Sequence, residues 1–277
     1  MTYCVALKFD AGMVFASDTR TNAGVDNISR VDKMHVFANA GDRVIVALSA
    51  GNLSITQNAL NQIERAARET PGAPNIYSVT SLYDAAELIG NTLREVRHRD
   101  GEYLRAQNID ASASFIVGGQ VGVEEPRLFL VYSEGNFIEA SGEAPFFQNG
   151  EIKYGKPVID RVLRRDLPIS DAIKLTLVSM DSTMRSNISV GLPLDVLVYP
   201  VNSLNANQRY RIEESDEYFR DLGKRWNDGL KQAFASVPAP PWDCLAPPAP
   251  MQPVASAENP NPAFDPNLAP PPQPLGS

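Results

Sequence analysis

The chain has 277 residues, 43% of them apolar, and a formal net charge of −8. That length supports one sizeable core or two small ones, and the acidic balance excludes nucleic acid or an anionic membrane as the main partner, because both need a basic surface. No apolar run approaches the roughly 18 residues of a membrane span, and the amino end lacks the basic and apolar zones of a secretory signal.

Strand-like alternation starts at once. Residues 2–9 and 13–17 flank the turn Asp10-Ala11-Gly12, which predicts a hairpin. Residues 34–39 and 43–49 flank Asn39-Ala40-Gly41-Asp42 and predict a second. A helix is expected over 53–69, with Ala59, Leu60, Ile63, Ala66 and Ala67 on one face. After a loop from Pro71 to Pro74, a second helix is expected over 81–98, with Leu82, Ala85, Ala86, Ile89, Leu93 and Val96 on one face. Strands follow at 113–121, 127–133 and 136–140, with GGQVG at 118–122 read as a turn between strands. Helices at 155–165 and 170–183, a strand at 188–200 and a helix near 215–235 complete the pattern. Strands arriving in hairpins, with helices in pairs, argue for an α+β fold of antiparallel sheets covered by helices.

Composition changes abruptly after Val237, and all but eight of the 22 prolines follow it. Proline fixes its own φ and donates no hydrogen bond, so neither helix nor sheet is expected there. The chain therefore divides into a folded part, 1–237, and a Pro-rich tail, 238–277, expected to be extended or disordered. Trp242 and Phe264 are the anchors a docking role for the tail would use. Cys4 and Cys244 are far apart and Cys244 falls in this tail, so a disulfide framework is not expected and a reducing cytoplasm fits.

Much familiar chemistry is absent. The only histidines are His35, on a predicted strand, and His98, in the charged stretch REVRHRD; both read as structural or solvated. There is no GxSxG elbow, no zinc-spaced Cys/His cluster, no strand-linked GxGxxG and no P-loop, so neither a cofactor nor a metal is expected. What remains is the amino end. Aminopeptidases remove Met1 when the next residue is small, and Thr2 is small enough. Thr2 would then carry a hydroxyl and a free α-amine, whose intrinsic pKa of roughly 7.7–8.0 leaves a useful neutral fraction at physiological pH. Such a nucleophile brings its own base and needs no histidine. It calls for a buried cation nearby and a carboxylate to hold that cation. Asp18, ending the second strand, and Lys33, preceding the third, have suitable places, although on spacing alone such a pair is more often a surface salt bridge than a functional one. Cys4, two residues beyond Thr2, points to the same strand face and reads as a small core residue or a thiol near the site.

The stretches T-x-x-V-A-L-K, V-F-A-S-D-T-R-T-N-A-G, D-K-M-H-V-F and V-A-L-S-A-G-N resemble proteasome β-type subunits, and among those the bacterial ancestral β-subunit (Anbu) group most. SASFIVGG, ASGEAPFF and SMDSTMRSNISVGLPLDVLVY add to a resemblance that runs from Thr2 to about Ile212. It implies a four-layer αββα sandwich of the amino-terminal-nucleophile hydrolase type, with two antiparallel sheets between helix layers. It implies Thr2 as nucleophile, Asp18 as carboxylate, Lys33 as cation, and a structural Arg20. An oxyanion donor is implied at Ala50 or Gly51, such donors being worth about 2.7–4 kcal/mol. Ser141 matches a serine that bonds the terminal amine, and Ser189 matches the serine of R-D-A-x-S-G-G. The aspartate of that last motif is Ser186 here, with Asp181 nearby, and Lys33 comes one residue early. The activity implied is that of a self-compartmentalising threonine peptidase or amidase, acting on peptide or unfolded-protein substrates inside a homo-oligomeric ring or open spiral. Acyl transfer to an amine, or a catalytically weak assembly scaffold, are the alternatives. No ATPase-docking motif is legible.

Overall fold

The computed structural model describes residues 2–23, 27–69 and 74–242. The expectations for the tail beyond Trp242, including Cys244 and Phe264, lie outside the described residues. The chain divides into two compact units, the first running to Gln232 and the second from Ala233 onward.

In the first unit the predicted hairpins form. β1 (Tyr3–Phe9) and β2 (Gly12–Asp18) pair antiparallel, Cys4 opposite Ser17 and Lys8 opposite Met13. A short ribbon, β3 (Arg20–Ala23) with β4 (Asn27–Arg30), follows. The second hairpin is β5 (Met34–Asn39) with β6 (Arg43–Gly51). α1 (Leu53–Glu69) has the predicted limits; Asn52 caps its start, its Oδ1 accepting from the backbone N–H of Ser54 and Ile55. α2 (Leu82–Ala106) starts behind Ser81, whose Oγ accepts from Asp84 N. It runs eight residues beyond its predicted end, because Gly101 is buried and Leu104 packs on the core even within the charged stretch.

β7 (Ala113–Val121), β8 (Arg127–Val131) and β9 (Phe137–Glu139) continue the sheet of β5 and β6, in the order β5-β6-β7-β8-β9. Residues 118–121 are thus strand rather than the turn expected from GGQVG, with Gly118 opposite Val46 and Gly119 opposite Ile45. The other five-stranded sheet has the order β10-β1-β2-β11-β12. It adds β10 (Phe146–Gly150), β11 (Leu194–Pro200) and β12 (Arg209–Ile212) to the first hairpin. β11 starts six residues later than expected. Residues ahead of it turn instead, Val190 N bonding Asn187 O, and Pro193 uses its carbonyl to receive both the N–H and the hydroxyl of Thr19. α3 (Lys156–Val162), α4 (Ile169–Ser186) and α5 (Glu217–Ser236) complete the order.

All pairings in both sheets are antiparallel, so the α+β class holds. Three apolar clusters follow from strand alternation. Phe37, Ile45, Ala47 and Phe115 meet α1 and α2. Tyr3, Val5, Leu7, Val14 and Val196 meet α3, α4 and α5. Cys4, Ala6, Phe15, Val46, Leu48 and Ile116 combine residues of both sheets. No described helix is long and apolar enough to cross a membrane.

Candidate active site at the amino terminus

Thr2 lies at the mouth of β1, held from the β10 side. Its carbonyl accepts the N–H of Glu151 at 2.7 Å. Gly150 makes this approach possible: its φ is +78°, and a Cβ there would stand 2.0 Å from Thr2 O. The next residue, Tyr3, is fully buried, and its phenol bonds Ser179 Oγ of α4 at 2.6 Å and receives Gln148 Nε2. Burial pushes that phenol up to about 12, so it stays protonated. Thr2 and Tyr3 are therefore fixed to a strand on one side and a helix on the other.

Asp18 and Lys33 form a buried ion pair, Lys33 Nζ to Asp18 Oδ1 at 2.7 Å, with side-chain exposures of 5% and 0%. The same oxygen accepts the Tyr3 N–H at 3.0 Å, which ties the pair to the residue beside Thr2. Lys33 Nζ also donates to Arg20 O at 2.5 Å, and the Lys33 carbonyl accepts Ser49 N at 2.9 Å. Burial pushes the Asp18 carboxyl up, while the Lys33 ammonium and the N–H groups of Tyr3 and Gly191 pull it back. A raised carboxyl favours folding below its unfolded value, and that contribution is lost as pH rises through the folded value. The Lys33 ammonium is the strongest influence opposing the effect of burial on Asp18.

β6 carries the next elements in. Ser49 sits beside Lys33, Ala50 is buried, and Gly51 (φ +102°) ends the strand against Ser112 and Ala113 before Asn52 opens α1. Cys4 Sγ donates to Ser49 O at 3.6 Å, joining the two sheets. The Cys4 thiol is fully buried and pushed far up by burial, against the pull of Lys33, so it is a core residue. Arg20 sends its side chain to Ile188 O at 3.0 Å and fills the space over Gly191. The Asn187–Pro193 turn is thereby pinned next to Asp18. Ser189 lies in that turn, its N–H bonded to Asn187 Oδ1 at 2.9 Å. Burial pulls the His35 imidazole down, against the opposing charges of Glu64 and Asp32, on a strand of the core; His98 is exposed on α2.

Ser141 is not at this site. Its loop meets β1 at the other end, where Lys8 N bonds Pro145 O, and β10 then runs back along β1 until Gly150 faces Tyr3. Six residues of extended strand separate Lys8 from Thr2, about 20 Å. Ser141 instead accepts Ala144 N and lines a cleft of about 550 Å³ with Lys8, Asp10 and Arg165. Asp181 is also elsewhere, paired with Arg185 at 2.9 Å against Gly223 of α5, and Ser186 is exposed at the end of α4. What the terminus has in their place is Glu151, buried and opposite Thr2. Its only legible signal was the Asn-Gly pair ahead of it, which marks a chain reversal but not what lies across from it. Among the described residues, no group of three or more His, Cys, Asp or Glu could hold a metal ion.

No family model matches the chain, and no curated protein does. Solved structures do. Anbu (ancestral beta-subunit) from Yersinia bercovieri is 48% identical, with TM-score 0.81, over 86% of this chain and 98% of that one. The Anbu (Gly-1) mutant from Hyphomicrobium sp. strain MC1 is 46% identical, with TM-score 0.80, over 86% and 99%. The helical assembly of the Anbu complex from Pseudomonas aeruginosa is 45% identical, with TM-score 0.82, over 86% and 98%. At these identities over most of each length, the chain belongs to the Anbu family of proteasome β-like ancestral beta-subunits.

Proposed function

We propose that the chain is a threonine-type peptidase or amidase of the amino-terminal-nucleophile kind, with Thr2 as nucleophile after removal of Met1. The observation that carries this is the buried Lys33–Asp18 pair, whose shared oxygen holds the N–H of the residue next to Thr2. A solvated pair of this kind would be incidental; one buried between two sheets needs a reason, and stabilising charge at an adjacent hydroxyl is such a reason.

The Thr2 Oγ–H bond breaks, its proton passes to the α-amine, and the oxygen attacks the amide carbonyl. The tetrahedral oxyanion is met by the N–H of Ala50 or Gly51, and Lys33 lowers the energy of the alkoxide. The ammonium then returns the proton to the leaving amine, and water releases the acyl group from Thr2 Oγ. Ser189, on the turn pinned by Arg20, takes a supporting place on the Asp18 side. The three apolar clusters support an αββα order of layers. A homo-oligomer enclosing the site accords with the helical assembly of the Pseudomonas aeruginosa relative. The residues of one chain support the proposed chemistry, while enclosure is what would restrict it to peptide or unfolded-protein substrates.

The test is peptide mass spectrometry after incubation with a peptide epoxyketone, which closes a ring only with adjacent hydroxyl and free amine. An adduct on Thr2, absent in Thr2→Ala, is expected. Met1 still attached to Thr2 would remove the base and sink the reading; a free Thr2 that takes no adduct would leave an assembly scaffold.

A further inference from the structure

Glu151 is a buried acidic residue across from the start of β1. It is 6% exposed. Oε2 accepts Asn187 Nδ2 at 3.0 Å and Oε1 accepts Lys153 N at 3.4 Å, both neutral donors. No Lys or Arg side chain pairs with it among the described residues. A buried carboxylate without a cation is costly, so such groups are paired. Its place identifies a partner. Tyr3 faces Gly150 in the β1–β10 register, and the Glu151 N–H to Thr2 O bond extends that pairing by one residue. Directly paired residues of antiparallel strands have Cα atoms about 5.5 Å apart, which puts the carboxylate within reach of the Thr2 backbone nitrogen.

We propose that Glu151 is the positioning residue for the Thr2 α-amine, accepting an ion pair from the ammonium that forms when the Thr2 hydroxyl loses its proton. It supplies the carboxylate that Ser186 lacks and that Asp181, committed to Arg185, does not offer. Asn187, one residue beyond Ser186, holds the Glu151 carboxylate from the turn after α4. The inference rests on Thr2 being an exposed amino terminus, and it adds which group orients the amine. Among the described residues, the other charged side chains that hydrogen bonds place beside the terminus are Asp18 and Lys33, already paired with each other, and Arg20, spent on Ile188 O. The Cys4 thiol is held neutral by burial. Glu151 is thus the charge left to set the amine's titration.

The test uses the full chain with Met1 removal verified by intact mass. The Thr2 α-amine is titrated by the pH dependence of its carbamylation with cyanate, read on the amino-terminal peptide. Wild type, Glu151→Gln and Glu151→Asp are compared, with epoxyketone labelling in parallel. An opposite charge this near shifts an amine by about one pH unit or more. The amine of Glu151→Gln should therefore titrate about one pH unit lower than wild type, with Glu151→Asp between them and epoxyketone labelling slowed at least tenfold in the Gln variant. Identical amine titrations in wild type and Glu151→Gln overturn the proposal, even where the epoxyketone still labels Thr2 and the nucleophile stands. A shifted titration without any epoxyketone adduct supports the ion pair and sinks the nucleophile instead. Retention of Met1 overturns both. If Glu151→Gln does not fold, the Asp variant carries the comparison, and an amine unshifted in it overturns the proposal.

Discussion

The two ends of the first hairpin hold the same kinds of residue in opposite settings. At the Thr2 end, Asp18 and Lys33 meet at 2.7 Å with almost no exposure. At the turn end, Asp10 and Arg165 meet at 3.2 Å with exposures of 59% and 69%. Both are acid–base pairs bridging β1–β2 to a distant segment. The exposed pair keeps its hydration and is worth little. The buried pair has lost its hydration, depends on each partner and on the Tyr3 N–H, and therefore stays fixed. A rigid, poorly hydrated charge is what a nucleophile can use. Burial separates the two ends; residue type and spacing do not.

Lys33→Ala breaks this contrast most severely. It strands Asp18 as an uncompensated buried carboxylate, and a loss of about 3–5 kcal/mol in unfolding free energy is expected, measured by denaturant melts at neutral pH. Adding Asp18→Asn removes the stranded charge, so the double variant should regain part of that stability. Epoxyketone labelling of Thr2 should remain absent in both. Recovery of labelling together with stability would mean the pair is structural only.

Gly150→Ala tests how Thr2 is held, with the charges left alone. The residue has φ +78°, and its new Cβ would collide with Thr2 O at 2.0 Å. Backbone strain of about 1–3 kcal/mol is expected, and the Glu151 N–H to Thr2 O bond should open. Labelling should slow by more than the loss of stability explains, read as the rate at a temperature where the variant remains folded. An unchanged rate would show that the β10 edge does not position the terminus.

These contacts also mark what was legible in the sequence. The hairpins and α1 were readable because alternation, turn residues and helical spacing are local. Asp18 and Lys33 could be nominated because a Thr2 nucleophile would need a cation and a carboxylate, but their burial could not be read. The β3–β4 ribbon escaped because RTNA and NISR carry no apolar alternation. β10 and β12 escaped because Phe-Phe-Gln-Asn-Gly and Arg-Tyr-Arg-Ile are short and lie at sheet edges. Ser141 was misplaced because a three-residue match says nothing of the register between β10 and β1, which carries that loop to the far end. Glu151 was missed for the same reason, since its proposed role rests on its lying across from Thr2.

The smallest effect is expected at the turn end. Arg165→Ala should cost no more than about 1 kcal/mol, because both partners are exposed and the exchange is with water. Ser141→Ala removes a hydroxyl that accepts only the Ala144 N–H in an exposed loop. Neither change touches the Lys33–Asp18 pair or the Glu151 bond, some six residues of strand away. The epoxyketone rate at Thr2 should therefore match wild type in both variants, measured side by side with Lys33→Ala. A slowing by Ser141→Ala comparable to that of Lys33→Ala would put the serine back at the amine. It would also undo the distinction between the two ends, since a hydroxyl about 20 Å along an extended strand has no direct means of reaching the nucleophile.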